Sequence, residues 1–254
     1  MITISGAELA SLRPWFAREP LGPRRLLGQH VLATGVGVVR VDRWPDPELV
    51  LVDVVGNLAL LGRSDGSLPE SISSYVQGVL AASPAHEVAL RATFPDLKVW
   101  DRVIQHLPGA PQEVVPHRGA VRPLRPDDAA LVAGLSENVS WISKSWGGPA
   151  GLSGSGTAWG GFVDDRLVSV SCTFFLGDDE EDIGIVTEPA ARGLGLGAAS
   201  AAGVCRGIVE RGRTPTWTTS PDNAGSLGVA RKLGFIGAWT DVLYVINAEI
   251  PPVD

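Results

Sequence analysis

The chain is poor in lysine, tyrosine and cysteine. Only three of its 21 lysine and arginine residues are lysines (Lys98, Lys144 and Lys232), and the formal net charge at pH 7 is −7. Because a nucleic-acid partner calls for a basic surface, this charge balance argues against one. The acidity of the whole molecule favours cationic substrates over anionic ones.

Cysteine and histidine are too sparse to suggest a metal site or a disulfide framework. Cys172 and Cys205 each lie in an apolar stretch, and the four histidines are widely scattered before residue 120. No pair has the close spacing typical of metal ligands. We expect both cysteines to be buried as small hydrophobic residues and the protein to use no metal.

Long apolar runs are also absent. No stretch approaches the length of a membrane span, and Met1–Glu8 lacks the basic region and apolar core of a signal peptide. The 254 residues, 44% of them hydrophobic, are ample for a buried core. The sequence therefore predicts a cytoplasmic protein without a membrane partner.

Glycine, by contrast, is concentrated after a predicted strand. Asp182–Thr187 is apolar and β-branched, and the glycine-rich segment Arg192–Ala198 follows it. Residues Gly197–Glu210 predict a helix. Because the first N–H groups of a helix are unpaired and aligned with the helix dipole, this turn is suited to binding a phosphate or pyrophosphate.

Other glycine-rich sites fit the segment less well. A nucleotide-binding P-loop is excluded because no Gly-Lys-Ser/Thr follows Gly197. A dinucleotide-binding fingerprint is weakly supported by Gly193, Gly195 and Ala198, but no second strand ending in an acidic residue follows. A glycine-rich turn without a ligand is the remaining alternative.

A second segment makes the interpretation more specific. Asn223–Phe235 follows the loop by about twenty-five residues, and the two segments together resemble the acetyl-CoA signature of the GNAT superfamily of N-acetyltransferases. With Pro215-x-Trp217, the pattern looks like the branch typified by zwittermicin A resistance acetyltransferases. The resemblance covers the C-terminal half of the chain.

The resemblance implies acetyl-CoA as cosubstrate and a small-molecule primary amine as acceptor. Asn223 is expected either to bind the pantetheine arm, to cap a helix, or to do both. The alternative is a non-catalytic acyl-CoA-binding regulatory or interaction module. The implied cofactor-binding residues are Ile185, Val186, Thr187, Arg192, Gly193, Leu194, Gly195, Leu196, Gly197, Ala198, Asn223 and Ser226.

The catalytic residues are harder to predict. Glu181 is similar in position to the catalytic glutamate of histone-acetylating members of the superfamily. It also lies in the acidic run Asp178–Asp182, and the alternative is that it is one solvated charge in that run. Ala230 stands where many members carry a tyrosine acid. Tyr244 is a substitute candidate, with a core position as its alternative, and Ser226 is a candidate to contact phosphates or protonate the departing thiolate.

One polar, glycine-rich segment is a candidate for the acceptor pocket. Asn138–Thr157 carries Trp141 and Trp146. Flexible glycine with aromatic anchors is typical of substrate loops, although an ordinary surface loop has the same composition.

The order of predicted elements gives a mixed α+β fold, with a mostly antiparallel sheet flanked by helices as in GNAT proteins. We predict an N-terminal accessory domain at 1–106, a linker at 107–118 and the acetyltransferase domain at 119–254. The accessory domain is expected to complete a cleft or form a homodimer surface, or to be a degenerate copy of the same fold.

Several elements are predicted individually. In the N-terminal half, helices are expected at 6–16, 68–82 and 99–106, and strands at 31–41 and 48–61. In the C-terminal half, strands are expected at 158–163, 166–175, 181–187, 216–219 and 239–247.

Overall fold

A computed structural model describes residues 1–251, and the chain divides into two compact units. The first unit comprises Met1–Val103 together with the chain from Thr240 on, and the second comprises Ile104–Trp239. The boundary falls inside two strands, β6 (Lys98–His106) and β12 (Ile236–Ile246).

The first unit combines short helices with a sheet. Its helices are α1 (Gly6–Ser11), α2 (Arg13–Arg18), α3 (Pro23–Thr34) and α4 (Glu87–Thr93), with 3-10 helices at Glu70–Ser74 and Pro84–His86. Its own strands are β1 (Ile2–Ile4), β2 (Val38–Val41), β3 (Leu49–Val54), β4 (Asn57–Gly62) and β5 (Gly78–Ala82).

These strands lie in the order β1-β2-β3-β4-β5-β12. The β4–β5 pair is parallel, whereas Leu243 and Tyr244 of β12 pair antiparallel with Ala81 and Leu80 of β5. The buried strand residues pack with α4 into one apolar cluster that includes Leu58, Leu90 and Tyr244.

The second unit has the following elements. Its strands are β7 (Ala120–Pro123), β8 (Ala158–Val163), β9 (Arg166–Leu176), β10 (Glu180–Thr187) and β11 (Thr214–Thr219). Its helices are α5 (Ala129–Ala133), α6 (Pro149–Gly154), α7 (Leu196–Glu210) and α8 (Ala224–Leu233), with 3-10 helices at Pro126–Asp128, Ser140–Trp146 and Pro189–Ala191.

The sheet of the second unit runs β6-β11-β10-β9-β8-β7. β7 to β10 form an antiparallel meander, and Asp164 and Asp165, both with positive φ, make the β8–β9 turn. β11 pairs parallel with β10 only from Glu180 to Asp182. Beyond Asp182 the two strands part. Among the described residues, no strand pairs with that edge of β10 after this point.

Apolar clusters cover both faces of this sheet. One face packs against α7 and α8 through residues such as Ile183, Trp217 and Leu233, and the other against α5 and α6 through residues such as Val170 and Val186. The mixed α+β fold class is thus confirmed. Within residues 1–251, no helix is both long enough and apolar enough to cross a bilayer.

Both cysteines are buried, as predicted. Burial raises the pKa of the Cys172 thiol, and it raises that of Cys205 to about 12. Both thiols are therefore protonated near neutral pH and unsuited to nucleophilic chemistry.

Three predicted elements of the N-terminal half are wrong. Residues 68–82 form a 3-10 helix and then β5, because Gly78 has a positive φ and lies too close to the Gly56 carbonyl for any side chain. Residues 99–106 form β6 rather than a helix. Residues 31–34 complete helix α3, which ends at Gly35, so the strand there begins only at Val38.

The segment 107–118, predicted as a linker, lies in the second unit. Leu107 is 3% exposed within the apolar cluster beneath α7, and its N–H donates to the Pro215 carbonyl. The N–H groups of Gln112 and His117 donate to the carbonyls of Leu233 and Leu194. The division of the chain into separately folding domains stays a prediction.

Candidate acyl-CoA site

The glycine-rich loop joins β10 to α7. Gly193 and Gly195 have φ of 78° and 79°, in the left-handed region that favours glycine, and Gly195 precedes the first residue of the helix. Arg192, next to them, is exposed. The chain thus turns sharply enough at the end of the strand for α7 to start directly at the loop.

Three amides stand at the start of α7 without an intrahelical acceptor. The first helical bond runs from the Ala199 N–H to the Gly195 carbonyl, at 3.0 Å. The N–H groups of Leu196, Gly197 and Ala198 precede it, so they have no acceptor within the helix. Together with the helix dipole, they form a site for an anion.

Two hydroxyls, one of them buried, lie under the start of α7. The Ser169 hydroxyl donates to the Val186 carbonyl at 2.8 Å and lies 2.9 Å from Thr187 Oγ1. A Cβ on Gly197 would come within 2.9 Å of the same Thr187 oxygen. Any larger residue at position 197 would therefore push the first turn of α7 away from β10.

Helix α8 begins with the predicted cap. The Asn223 side-chain oxygen accepts from the Ser226 N–H at 2.8 Å, and the Ser226 hydroxyl accepts from Trp217 Nε1 at 2.9 Å. The capping role of Asn223 is confirmed. The structure thus places Ser226 between the helix cap and the buried indole of Trp217, and its roles toward a ligand stay predictions.

The point where β10 and β11 part carries a carboxylate that sequence reasoning missed. Asp182 Oδ1 accepts from the hydroxyls of Thr216 at 3.0 Å and Thr218 at 2.9 Å. Successive residues of a strand point to opposite faces of the sheet, so the side chains of Glu181 and Asp182 must lie on different faces. This alternation could have indicated, from the sequence alone, that Asp182 has surroundings different from those of Glu181.

Glu181 lies on the opposite face and is fully buried, so the alternative of a solvated charge is wrong. Its carboxylate accepts from Arg211 Nε and Nη2 at 3.0 and 2.7 Å, from Arg213 Nη1 at 2.9 Å, and from the Thr173 hydroxyl. Burial alone raises the pKa of this carboxyl, but the bonds from Arg211, Thr173 and Arg213 outweigh it and lower the pKa. No observation tests a general-base role for Glu181.

Tyr244 lies in the first unit, whereas the glycine-rich loop lies in the second. Its side chain is 0% exposed within the first unit's apolar cluster, and its hydroxyl lies 3.5 Å from Glu87 Oε2. Burial, aided by the negative charge of Glu87, raises the pKa of this phenol. The position is that of the core tyrosine named as the alternative, and an acid role is untested.

The predicted acceptor segment is partly helical. Trp141 and Trp146 lie in the 3-10 helix Ser140–Trp146. Trp146 is anchored, since its Nε1 donates to the Thr173 carbonyl at 2.7 Å, whereas Trp141 is 39% exposed and packs edge-on against Phe174. The two tryptophans therefore differ: one fixes the segment to β9, and the other presents an aromatic surface.

Among residues 1–251, no three histidine, cysteine, aspartate or glutamate side chains group in a way that would hold a metal ion. The described site therefore has three features that could take part in chemistry: the anion-binding start of α7, the free edge of β10, and the single carboxylates of Glu181 and Asp182.

Comparison with known proteins identifies the family. Residues 141–240 match the GNAT acetyltransferase family. The chain is also 35% identical, over 214 residues, to an uncharacterised N-acetyltransferase from the mutA 5' region of Streptomyces virginiae, covering 83% of this chain and 90% of that protein. The chain belongs to the GNAT acetyltransferases. It is therefore an acyltransferase.

More distant relatives agree with the fold of this acetyltransferase. The uncharacterised N-acetyltransferase YdfB of Bacillus subtilis (strain 168) is 26% identical over 111 residues, covering 44% of this chain and 42% of that one. A GCN5-related N-acetyltransferase-like protein from Streptococcus suis 89/1591 has a TM-score of 0.68 at 16% identity, over 94% of this chain and 98% of that one. A tandem GNAT protein from the clavulanic acid biosynthesis pathway has a TM-score of 0.56 at 13% identity, over 98% and 99% of the two chains.

Proposed function

We propose that this acetyltransferase transfers an acetyl group from acetyl-CoA to a primary amine of a small molecule. The glycine-rich loop at the start of α7 is the observation that carries the proposal, because Gly193 and Gly195 turn the backbone into a helix whose first three N–H groups have no acceptor within the helix. This fits the pyrophosphate of CoA. Arg192, exposed beside the loop, adds positive charge.

The free edge of β10 is suited to the pantetheine arm. Beyond Asp182 the backbone of Ile185, Val186 and Thr187 pairs with β9 alone among the described strands. Backbone groups on such an edge are free to bond the amides of an extended ligand. Asn223 and Ser226 at the start of α8 are the second group of residues proposed to contact CoA.

The chemistry proposed is direct aminolysis of the thioester that acetyl-CoA supplies when bound. The neutral amine attacks the carbonyl carbon, an N–C bond forms, the C–S bond breaks, and the amine loses a proton while the thiolate gains one. Glu181, held by two arginines, serves in this proposal as a structural ion rather than as the base. Water carries the protons, with Ser226 available near the CoA side.

The anion site is tested by placing a negative charge at the loop. Gly193 and Gly212 have nearly the same backbone conformation, with φ of 78° and 73°, and a Cβ at either position meets no atom within 4 Å. Gly193 lies before α7 and Gly212 just after it. Gly193→Asp and Gly212→Asp therefore impose the same backbone strain but place the charge at opposite ends of the helix.

We expect calorimetric titration to show acetyl-CoA and free CoA binding to the wild type and to G212D. Binding to G193D should weaken by about 10-fold or more, because the aspartate repels the pyrophosphate and competes for the helix start. Equal affinities for the two variants would overturn the assignment of the loop.

Turnover separates the proposal from its alternative, a non-catalytic acyl-CoA-binding module. Release of CoA thiol from acetyl-CoA in the presence of primary amines would support the transferase. Tight binding of CoA with no thiol release across a broad amine panel would favour the module instead.

The finer classification is proposed on sequence grounds. Pro215-x-Trp217 and Asn223–Phe235 support the zwittermicin A resistance-type branch. We also propose a cytoplasmic enzyme without nucleic-acid or membrane partners, working as a monomer or a homodimer.

A further inference from the structure

We propose that Trp217 is a positioning residue for CoA, because its indole N–H holds the Ser226 hydroxyl as a hydrogen-bond donor to a carbonyl oxygen of the pantetheine arm. This inference rests on the proposed function, since it concerns how the same ligand is held. It deepens that function by adding a residue that acts on the ligand only through another side chain, and by stating which hydrogen of α8 meets the ligand.

The indole of Trp217 has a fixed place in the second unit. Its side chain is 2% exposed and belongs to the apolar cluster beneath α7. Phe235 packs edge-on against it, with ring centroids 5.3 Å apart. A buried indole N–H needs an acceptor, and Ser226 Oγ provides one at 2.9 Å. The strand β11 is thereby joined to the start of α8 by one side-chain hydrogen bond.

This bond decides what the Ser226 hydroxyl can offer to a ligand. An indole nitrogen only donates, whereas a hydroxyl has one hydrogen and two lone pairs. Ser226 therefore accepts from Trp217 and keeps its own hydrogen. Within residues 1–251, the bond from Trp217 is the only hydrogen bond of this hydroxyl, and the side chain is partly exposed. The hydroxyl hydrogen thus remains for an acceptor outside the protein.

The main chain of Ser226 is fixed as well. Ser226 is the third residue of α8, and its N–H donates to Asn223 Oδ1 at 2.8 Å. Because the helix cap holds the backbone and the indole holds the oxygen, the hydroxyl has little orientational freedom left to lose when it binds a ligand. Binding groups that are oriented in advance gain affinity for that reason.

Trp217 lies directly after the point where β10 and β11 part. Thr216 is the last residue of β11 that pairs with β10, so Trp217 is the first residue beyond the pairing. The edge of β10 freed there is the one proposed for the pantetheine arm, whose amide carbonyls are hydrogen-bond acceptors. A hydroxyl hydrogen held by this residue matches such a carbonyl, whereas the pyrophosphate is assigned to the start of α7.

Two ligands separate the pantetheine arm from the phosphates, without turnover. CoA carries the arm, and 3'-phospho-ADP is CoA without it. In calorimetric titrations of the whole chain, we expect Ser226→Ala to weaken CoA binding by about 5-fold, the value of one neutral hydrogen bond, and to leave 3'-phospho-ADP binding unchanged. Ser226→Thr keeps a hydroxyl and should keep the wild-type affinity. Equal losses for the two ligands, or no loss for CoA, would overturn the inference.

Trp217→Phe tests the indole, because it removes the N–H and keeps an aromatic ring in the cluster. We expect CoA binding to weaken by about 3-fold, and unchanged binding of 3'-phospho-ADP shows that the variant is folded. In the S226A background the same change should cause no further loss, because the hydroxyl through which the indole acts is gone. A loss of equal size in both backgrounds would come from packing alone and would contradict the role of Trp217.

Trp159→Phe is the matched control. Trp159 packs against the same apolar cluster, so this variant also replaces an indole there by a smaller ring. We expect it to leave the affinities for CoA and 3'-phospho-ADP unchanged.

The two hypotheses fail separately. If the loss specific to the pantetheine arm occurs but no acetyl group is transferred to any amine, the proposed function fails and this inference stands. If CoA thiol is released with amines, but CoA binds equally to wild type, S226A and W217F, this inference fails and the proposed function stands.

Discussion

At the scale of single residues, Glu181 is held by ionic contacts that depend on its charge. Glu181→Gln leaves Arg211 and Arg213 without a carboxylate. Since these arginines are 34% and 28% exposed, the loss should be smaller than for a fully buried pair, about 2 kcal/mol of unfolding free energy. Urea denaturation at pH 7 measures it, and Asp96→Asn, at an exposed site, should change stability by less than about 0.5 kcal/mol.

The pH dependence of this contribution follows from the lowered pKa of Glu181. A carboxyl whose folded pKa lies below its unfolded value of about 4.3 contributes stability above that pH and loses it as the pH falls through the folded pKa. The difference in unfolding free energy between wild type and E181Q should therefore shrink below pH 4.3. A constant difference from pH 7 to pH 3 would contradict the assigned contacts.

His86 is predicted to make stability sensitive to milder acid. It is 1% exposed and its Nε2 donates to the Arg63 carbonyl at 2.9 Å. Burial lowers the pKa of this imidazole despite the opposing effect of that carbonyl. Because the folded pKa lies below the unfolded value of about 6.5, stability is full above that pH and declines as the pH falls below it.

Denaturation of His86→Phe and His117→Gln at pH 7.5 and pH 5 tests this expectation. The decline between the two pH values should vanish in H86F and persist in H117Q, because His117 is exposed. An equal decline in wild type and H86F would show that other groups cause it.

At the scale of elements, helix α7 shows how packing decides the effect of one substitution. A Cβ on Gly203 would lie 2.3 Å from the indole of Trp159, whereas one on Gly207 would meet only the flexible end of Arg211, at 3.2 Å. Gly203→Ala should destabilise by about 2 kcal/mol through overpacking against β8. Gly207→Ala should stabilise by about 0.5 kcal/mol through helix propensity.

Thermal or urea unfolding of the two alanine variants measures this contrast. They change the same residue type four positions apart in one helix, so each serves as the other's control. Two effects of the same sign would mean that α7 does not contact Trp159 as closely as described.

At the scale of the whole molecule, the predicted domain 119–254 does not coincide with either compact unit. It lacks residues 104–118, including Leu107 of the apolar cluster beneath α7. It also carries residues 243–246, which pair with β5 in the first unit. We therefore expect the fragment 119–254 to lack a cooperative unfolding transition, measured by circular dichroism during urea denaturation. The whole chain is the reference, and a cooperative transition in the fragment would support the sequence boundaries.

Much of the second unit follows from local sequence. The apolar strand before Pro189, the glycines of the loop, the Asp164–Asp165 turn and the Asn223 cap each depend on the conformational preferences of a few adjacent residues. The folded chain keeps the local conformations that these residues favour. For that reason α7 and the strands of the meander were predicted close to their observed bounds, and Asn223 was predicted as the cap of α8.

The N-terminal half was less predictable, because its elements depend on distant partners. Residues 99–106 and 78–82 are strands through pairing within sheets, and no local pattern specifies those partners.

The sequence alone determined the family, the fold class and the glycine-rich loop, since these depend on residues close together in the chain. Only the tertiary structure decided that Glu181 is buried between two arginines from beyond α7, while Asp182, one residue later, meets threonines of β11. The physical reason is that the burial and the charge pairing of these two carboxylates depend on the end of α7 and on β11. Both lie about thirty residues further along the chain and contact the two faces of one strand.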